Sequence, residues 1–245
     1  SRGIGDVYKR QALSRTDGVR RVIDGPLMSA SCSQEATGTE LHIRRLGLCD
    51  YEPVWHDMQA FTQQRTAKTA DELWLLQHQS VYTLGMNGKR EHLLMPGDIP
   101  VVEIDRGGQV TYHGPGQLVA YTLFDLKRLN IGIRVLVEAL ESSVIDWLGA
   151  QGVVAAARRD APGVYVEGAK VAALGLRVKR GCSYHGLALN VDTDLEPFAG
   201  INPCGYEGMA VTRTRDLGIE QGVEEVAVQW LPYLVERLGY QLTKN

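Results

Sequence analysis

The sequence lacks several features that would place it in a familiar protein class. Its 245 residues contain only four cysteines and no C-x-x-C pair, and the formal net charge is only −3. It has no apolar run of 18 residues and no charged-then-apolar leader, which argues against a membrane span and a secretory signal. The near-neutral charge gives no reason to expect nucleic-acid binding. We therefore expect reduced thiols, a cytoplasmic location, and neither nucleic acid nor a membrane as a partner.

Signatures of metal, nucleotide and repeat architectures are equally scarce. The six histidines and four cysteines show no ligand spacing, so we expect no metal site. The glycine-rich run is neither G-x-G-x-x-G nor a Walker loop, because no G-K-[ST] follows it, and nucleotide phosphate binding is unsupported. No 20–50-residue period appears, which excludes a repeat protein. We expect no cofactor.

The chain does contain enough apolar material for one folded domain. Hydrophobic residues make up 44% of it, and 245 residues suit a single domain. Strand-like runs alternate with helical stretches, which predicts an α/β (α+β) fold. Helices are expected at 50–67, 134–152 and 223–239, the last bent near Pro232. Strands are expected at 41–47, 72–85, 101–105 and 118–126, followed by a β-meander of "GVYVEG", "KVAALGLRV" and "SYHGLALNV".

The first 38 residues differ from the rest in having no sustained periodicity. Met28 stands just upstream of the first patterned segment, so we interpret the residues before it as upstream read-through or a cloning remnant. A transit peptide is the rival interpretation, but the acidic residues in this stretch argue against it. We expect residues 1–38 to be a disordered or non-native extension, and residues 39–245 to form the folded domain.

The densest group of candidate binding residues is "RGGQVTYHGPGQLVAY" at 106–121. Its glycines let backbone N–H groups approach a ligand closely and form an anion- or oxyanion-binding concavity. The alternative is that Gly-Gly and Gly-Pro-Gly only shape hairpins. The run by itself leaves both interpretations open.

One lysine stands out in "GAKVAALGLRV". Because side chains alternate along a strand, we expect Lys170 to share a face with Ala172, Leu174 and Leu176. A lysine at a strand end commonly reaches into water, which is one interpretation. The other is a partly desolvated lysine that faces a pocket and pairs with a thiolate.

Two cysteines are candidates for a reactive thiol. "CSYHG" suggests a pair of Cys182 and His185, but residues three apart on a strand point to opposite faces, so we do not expect one. His113 and His185 are instead candidates to line a pocket separately. Cys204 in "NPCG" is held in a turn, and a nearby cation such as Lys170 would lower the pKa of its thiol. The residues alone support covalent acyl chemistry only weakly.

Four motifs, in order along the chain, carry a family resemblance. "RGGQVTYHGPGQ", "GAKVAALGLR", "YHGLALN" and "NPCG" together resemble the lipoyl(octanoyl) transferases of the biotin and lipoate protein ligase superfamily. The resemblance runs from about residue 40 to residue 240. It implies a single catalytic domain with a mixed β-sheet flanked by helices. It also implies transfer of an octanoyl or lipoyl group from acyl carrier protein to a specific lysine of a lipoyl domain, the first step of endogenous protein lipoylation.

The resemblance implies partners and residue roles as well. The donor would be octanoyl-acyl carrier protein, and the acceptors would be the lipoyl domains of 2-oxoacid dehydrogenase E2 subunits and the glycine cleavage H protein. Cys204 would be the acyl-thioester nucleophile, and Lys170 the residue that activates it. Three segments would line the substrate pocket, namely Arg106, Gly107, Gly108, Gln109, Val110, Thr111, Tyr112 and His113, then Ala173, Leu174 and Gly175, then Gly186, Leu187 and Ala188.

Exposed basic pairs offer an expectation about the donor. Arg158-Arg159 and Lys179-Arg180 are ordinary surface residues on one interpretation. Because acyl carrier proteins are acidic, such pairs near the pocket mouth would steer the donor toward it.

Three other functions stay open on the sequence. An ATP-dependent lipoate or biotin ligase shares the fold, but it activates the acid as an adenylate and needs no cysteine nucleophile. A cysteine hydrolase would transfer the acyl group to water, and a non-catalytic binding module would keep only the scaffold. Cys204 in "NPCG" and the lack of a recognisable adenylate-binding signature favour the transferase.

Overall fold

The computed structural model describes residues 39–205 and 207–242, with the backbone alone at Thr39, Cys204 and Leu242. The predicted extension, residues 1–38, lies outside the described residues. The helices are α1 (Tyr51–Gln64), α2 (Ile133–Ala150) and α3 (Val223–Leu238). The strands are β1 (Thr39–Cys49), β2 (Asp71–His78), β3 (Val81–Leu84), β4 (Val101–Glu103), β5 (Val110–His113), β6 (Gln117–Leu123), β7 (Ala156–Ala157), β8 (Gly163–Val166), β9 (Ala169–Lys179), β10 (Cys182–Asn190) and β11 (Tyr240–Leu242).

In the described part of the chain these strands form an eight-stranded sheet and a three-stranded sheet. The large sheet has the order β11-β1-β2-β6-β10-β9-β8-β7, in which β1 pairs parallel with β11 and β2 while the remaining pairs are antiparallel. In the small sheet, β3 pairs parallel with β4 and antiparallel with β5. The expected mixed sheet is confirmed, and so is the antiparallel meander of β8, β9 and β10.

Alternation of side chains gives the large sheet two different faces. Leu75 of β2 and Leu187 of β10 belong to the apolar cluster that packs under α2 and α3. Leu76 and Ala188, their neighbours along the chain, belong instead to a second cluster that contains Met58 of α1. The sheet therefore lies between α1 on one side and α2 and α3 on the other.

The predicted helices are confirmed, with ends that differ by a few residues from the expected ones. The clearest periodic stretch forms α2, whose buried stripe includes Leu136, Leu140 and Val144. Pro232 lies inside α3, as expected, and α3 ends at Gly239, whose φ of 69° is the left-handed conformation that glycine adopts without strain.

A β-bulge in β9 reverses the expected direction of one important side chain. Val164 pairs with Ala172, whereas its neighbour Tyr165 pairs with Lys170, so Val171 is the extra residue of the bulge. Paired residues lie on the same face of a sheet, and consecutive residues of β8 lie on opposite faces. The expectation that Lys170 shares a face with Ala172 is therefore wrong. Lys170 shares the face of Tyr165.

Candidate active site

A cleft lies on the α1 side of the large sheet, against β5 of the small sheet. Strands β6, β9 and β10 form its floor, and the loop before β5 covers it. The lining residues are Tyr51, Arg106, Gly108, Gln109, Val110, Thr111, His113, Val119, Tyr121, Ala173, Leu174, Gly175, His185, Gly186, Leu187 and Ala188.

The three segments assigned to a pocket from the sequence meet at this cleft. All of their residues line it except Gly107 and Tyr112. Gly107 stands at the edge, where its N–H donates to Leu176 O at 3.0 Å. Tyr112 points into the apolar cluster of the small sheet, and its hydroxyl lies 3.0 Å from Ser80 Oγ.

Four lining residues come from outside those segments. His185 was a separate candidate, Val119 and Tyr121 belong to the strand end of the candidate run 106–121, and Tyr51 was expected only to pack in a helix. Each of these last three has an ordinary position in a periodic apolar pattern. They line the cleft because of how α1 and β6 pack against the small sheet, and the local sequence does not encode that packing.

The glycine-rich run has two structural roles, one for each of its glycine pairs. Gly108, with a φ of 88°, lines the cleft, and its carbonyl accepts from the N–H of Asn87 at 3.3 Å. Gly116 instead shapes a turn, where its carbonyl accepts from the N–H groups of Val191 and Asp192 at 3.1 and 2.9 Å. A Cβ at Gly116 would lie 2.6 Å from the backbone of Asp192. The turn interpretation therefore holds for the second half of the run, while ligand binding by the first half stays a prediction.

Arg106 is a buried cation in the wall of the cleft. Its guanidinium donates to Thr83 O at 2.8 Å, to Thr83 Oγ1 at 2.9 Å and to Gly107 O at 2.9 Å. The aliphatic part of the side chain crosses β9 at Gly175, where a Cβ would lie 2.8 Å from Arg106 Cδ. Glycine at position 175 therefore makes room for the arginine.

His185 and Asp105 form a hydrogen-bonded pair beside the cleft. Tyr184 and Trp55 also donate to the Asp105 carboxylate, Trp55 Nε1 at 2.8 Å. Although partial burial acts in the opposite direction, these hydrogen bonds hold the pKa of Asp105 well below its ordinary value. The ionised carboxylate can only accept, so His185 Nε2, 3.2 Å from Asp105 Oδ1, carries the proton.

The conformation of His185 is unusual for a histidine in a strand. Its φ of 59° lies in the left-handed region, and its side chain is 1% exposed. Burial lowers the pKa of His185 even though Asp105 favours the protonated form. Its Nδ1 has no hydrogen-bond partner within residues 39–205 and 207–242. The ring is therefore a neutral acceptor at the cleft wall.

Two further histidines in this region, His78 and His113, are buried in the neutral form. Burial lowers the pKa of His113 to about 3 and the pKa of His78 to about 4. His113 Nδ1 lies 2.7 Å from Gln117 Oε1, and Gln117 Nε2 donates to Asn190 Oδ1 at 2.9 Å. A neutral His113 in the wall opposite the floor suits an alkyl ligand, because no ionised imidazole has to be desolvated.

Lys170 is buried, with 3% of its surface exposed, and is not among the residues that line the cleft. Its Nζ donates to Pro162 O at 3.2 Å and lies 5.1 Å from the ring centroid of Tyr165. Its backbone is paired with a later segment, since Lys170 N donates to Ala210 O at 2.8 Å and Thr212 N donates to Lys170 O at 3.0 Å. The interpretation of Lys170 as a water-exposed strand end is wrong.

The backbone of Cys204 lies in a 3₁₀ turn, Pro203–Gly205, that contacts β5. The turn is tied down at its start, where Asn202 N donates to His92 O at 2.9 Å. A Cβ at Gly205 would lie 3.4 Å from Gln109 Cγ, and Gln109 lines the cleft. The turn thus stands at the rim of the cleft. The side chain of Cys204 lies outside the described atoms, so its contact with Lys170 stays a prediction.

The two cysteines whose thiols the structure describes, Cys49 and Cys182, are poor nucleophiles. Burial raises the pKa of Cys49 and of Cys182, which disfavours the thiolate of each. Cys49 Sγ lies 3.2 Å from Leu46 O, and Cys182 forms a β-bridge with Asp125.

The described residues contain neither a metal-ligand cluster nor a membrane-spanning helix. Within 39–205 and 207–242, no three His, Cys, Asp or Glu side chains are grouped as a metal ion would require. No helix in the same part of the chain is long and apolar enough to cross a membrane.

Comparisons with known proteins point to one family. The family model described as "Lipoyl protein ligase A/B catalytic domain" matches residues 50–234. An octanoyltransferase of Thiobacillus denitrificans is 68% identical over 185 residues, covering 76% of this chain and 85% of that protein. An octanoyltransferase of Hahella chejuensis is 58% identical over 201 residues, covering 82% and 90%. A solved bi-partite lipoate protein ligase of Thermoplasma acidophilum has a TM-score of 0.66 at 16% identity, covering 84% of this chain and 87% of that one. The structural likeness confirms the expected fold.

Proposed function

The chain belongs to the lipoyl protein ligase A/B catalytic-domain family, and on that premise we propose that it transfers an octanoyl or lipoyl group from acyl carrier protein to a specific lysine of a lipoyl domain. It is an acyltransferase, as are its octanoyltransferase relatives. The transfer proceeds through a thioester on Cys204. Lipoyl domains of 2-oxoacid dehydrogenase E2 subunits and the glycine cleavage H protein are the acceptors.

The observation that carries this proposal is the burial of Lys170 on a backbone joined to the segment that follows Cys204. Lys170 is 3% exposed and pairs with Ala210 and Thr212, while the turn of Cys204 is anchored at the rim of the cleft. A buried ammonium next to a thiol favours the thiolate, because the two charges attract strongly away from water.

The cleft supports an acyl chain as the transferred group. Small side chains at Ala173 and Ala188 leave room above the floor for an alkyl chain. Burial of each methylene contributes about 0.8 kcal/mol. The neutral His113 lets the chain enter without desolvating an imidazolium.

The proposed reaction has two acyl transfers. Cys204 reacts as a thiolate paired with the Lys170 ammonium, and this thiolate attacks the carrier thioester. A new S–C bond forms as the bond to the phosphopantetheine sulfur breaks, and the leaving thiolate takes the proton from Lys170. The lipoyl-domain amine then attacks the acyl-enzyme, the amide forms, and Cys204 leaves. Lys170 accepts the proton lost by the amine.

Donor docking is the second part of the proposal. Arg158, Arg159, Lys179 and Arg180 are exposed, and they would attract an acidic carrier protein. Reversing the charge of Arg159 and Arg180 should flatten the salt dependence of kcat/KM for octanoyl-carrier protein. An unchanged salt dependence would show that the donor docks elsewhere.

Intact-mass measurement tests the thioester directly. The full chain is incubated with octanoyl-carrier protein, and the expected result is a mass increase of one octanoyl group that maps to Cys204. Addition of a lipoyl domain should remove the adduct and acylate that domain. Cys204→Ser should abolish the adduct, whereas Cys182→Ser should retain it.

Each rival function predicts a different result in the same assay. An ATP requirement with activity that survives Cys204→Ser would identify a ligase. Free octanoate, released in the presence of excess lipoyl domain, would identify a hydrolase. The absence of any adduct would leave a binding module.

A further inference from the structure

One peptide group links Lys170 to a buried carboxylate on α2. Lys170 Nζ donates to Pro162 O at 3.2 Å. The N–H of the same peptide, on Gly163, donates to Glu141 Oε1 at 2.8 Å. The two charged side chains therefore hold opposite ends of one amide dipole. Hydrogen bonds in such a chain polarise one another, so an acceptor at the N–H end strengthens the bond at the carbonyl end.

Glu141 is an unusual residue for its position in the fold. It is 7% exposed, in the middle of a helix whose neighbouring residues Leu140 and Val144 belong to the apolar core. Burial raises the pKa of Glu141, while the hydrogen bond from Gly163 and the charge of Lys170 act in the opposite direction. A buried carboxylate is costly to ionise unless it has partners such as these.

Other charged residues also face Glu141. Glu138 lies one helical turn earlier and is exposed. Arg134, Arg158 and Arg159 line, together with Glu138 and Glu141, a second cavity on the α2 side of Pro162. Pro162 lines the same cavity as these arginines, whereas Gly163 and Lys170 are buried. Removing Glu141 alone therefore leaves the arginines in place and takes the anion away from Lys170.

We propose that Glu141 is a positioning residue that, through the Pro162–Gly163 peptide, orients Lys170 and keeps it in the ammonium form. The inference rests on the proposed function, in which Lys170 activates Cys204. It adds Glu141 to Cys204 and Lys170 as a third functional residue, one that touches neither the substrate nor the reacting atoms. Glu141 supplies a negative charge and a fixed acceptor for the Gly163 N–H. This hydrogen bond holds the peptide in place and polarises the Pro162 carbonyl, which accepts from Lys170 Nζ.

The test compares Glu141→Gln with Glu138→Gln. Each variant removes one negative charge from the same face of α2, and glutamine at 141 keeps an oxygen that accepts from Gly163. On the basic side of the pH profile, kcat/KM for octanoyl transfer falls as Lys170 loses its proton. This basic limb should lie about one pH unit lower in Glu141→Gln than in the wild type, because the neutral side chain no longer favours the Lys170 ammonium. Glu138→Gln should move that limb by less than about 0.3 unit, since its charge is exposed and screened.

A basic limb that stays in place in Glu141→Gln, with activity reduced equally at every pH, would assign Glu141 a purely structural role and overturn the proposal. If Glu141→Gln does not fold, as judged by circular dichroism, Glu141→Asp carries the test. Aspartate keeps the charge, so its basic limb should stay at the wild-type position while kcat falls. A limb that moves one unit lower in Glu141→Asp would also overturn the proposal. The octanoyl adduct of the wild-type chain is measured in parallel, so failure of the proposed function is seen separately as a missing adduct.

Discussion

Gly163 and Lys170 are fitted against each other. A Cβ at Gly163 would lie 3.1 Å from Lys170 Cε and 3.3 Å from Lys170 Nζ, and 2.6 Å from the carbonyl oxygen of Ala172. The φ of Gly163, 147°, is also one that other residues rarely adopt. Only glycine at this position leaves both the ammonium and the strand pairing undisturbed.

Gly163→Ala should therefore lower the free energy of unfolding by about 1–3 kcal/mol. The methyl group meets backbone that cannot move without breaking the pairing of β8 and β9, and it displaces Lys170 as well. Urea unfolding at neutral pH measures the stability, and single-turnover acylation measures the effect on Lys170. A variant with wild-type stability and acylation rate would show that β8 yields at little cost.

Gly149→Ala is the matched control and should have the opposite effect. Gly149 lies inside α2, and a Cβ there would have no atom within 4 Å among the described residues. Alanine removes the entropic cost of a helical glycine, so the free energy of unfolding should rise by about 1 kcal/mol. The same urea titration measures it. A loss of stability would mean that the end of α2 makes contacts outside the described residues.

Ala188→Val should reduce the length of acyl chain that the cleft accepts. Ala188 is buried in the floor, and two added methyl carbons occupy space that the ligand needs. The ratio of kcat/KM for octanoyl over butanoyl donors should fall about tenfold or more. Ala156→Val, in the exposed strand β7, serves as the control and should leave the ratio unchanged. Equal losses for both donors in Ala188→Val would place the chain elsewhere.

The stability of the protein should fall on mild acidification because His78 and His113 are buried in the neutral form. Their pKa values are lowered to about 4 and about 3, against about 6.5 in the unfolded chain. The unfolded chain therefore binds protons first. The contribution of these histidines to the free energy of unfolding is fully present above about pH 6.5. It falls as the pH drops toward 4, by about 1.4 kcal/mol per pH unit for each histidine.

Urea titrations between pH 7 and pH 5 check this slope in wild-type protein and two variants. His78→Gln should reduce the pH dependence, because it removes one of the buried neutral histidines, and His56→Gln, at an exposed position on α1, is the control. A wild-type slope near zero would mean that the histidines are protonated in the folded protein.

Asp105→Asn should destabilise the protein at neutral pH much more than at low pH. The pKa of Asp105 is lowered in the folded protein, so its ionised form contributes stability above the ordinary aspartate pKa of about 3.9, and this contribution is lost as the pH falls through the lower, folded-state value. The variant should lose about 1–3 kcal/mol at pH 7, since the donors of Trp55, Tyr184 and His185 keep only a neutral acceptor. Asp57→Asn, at an exposed position on α1, is the control. Equal losses at pH 7 and pH 3 would show that the carboxylate charge is unimportant.

Several parts of this structure follow from the sequence. For each part that does not, a physical cause can be identified. The helices and the meander could be predicted, because apolar spacing of 3.6 or 2 residues is a local property. The direction of Lys170 could not, because the bulge at Val171 depends on how β8 pairs with β9. Glu141 gave no signal of its role either, since a glutamate in a helix usually faces water and its partner is a peptide in a distant strand.

The cleft floor belongs to the same strands as the core beneath it. Val119 and Ala188 line the cleft, while their neighbours Ala120 and Leu189 pack under α2 and α3. A strand cannot shift on one face without shifting on the other, so the floor is as rigid as the core. The backbone of the floor is therefore fixed, so a change of substrate size during evolution would come from the size of side chains on the floor, such as Ala188, or from the residues at 106–109 beside it.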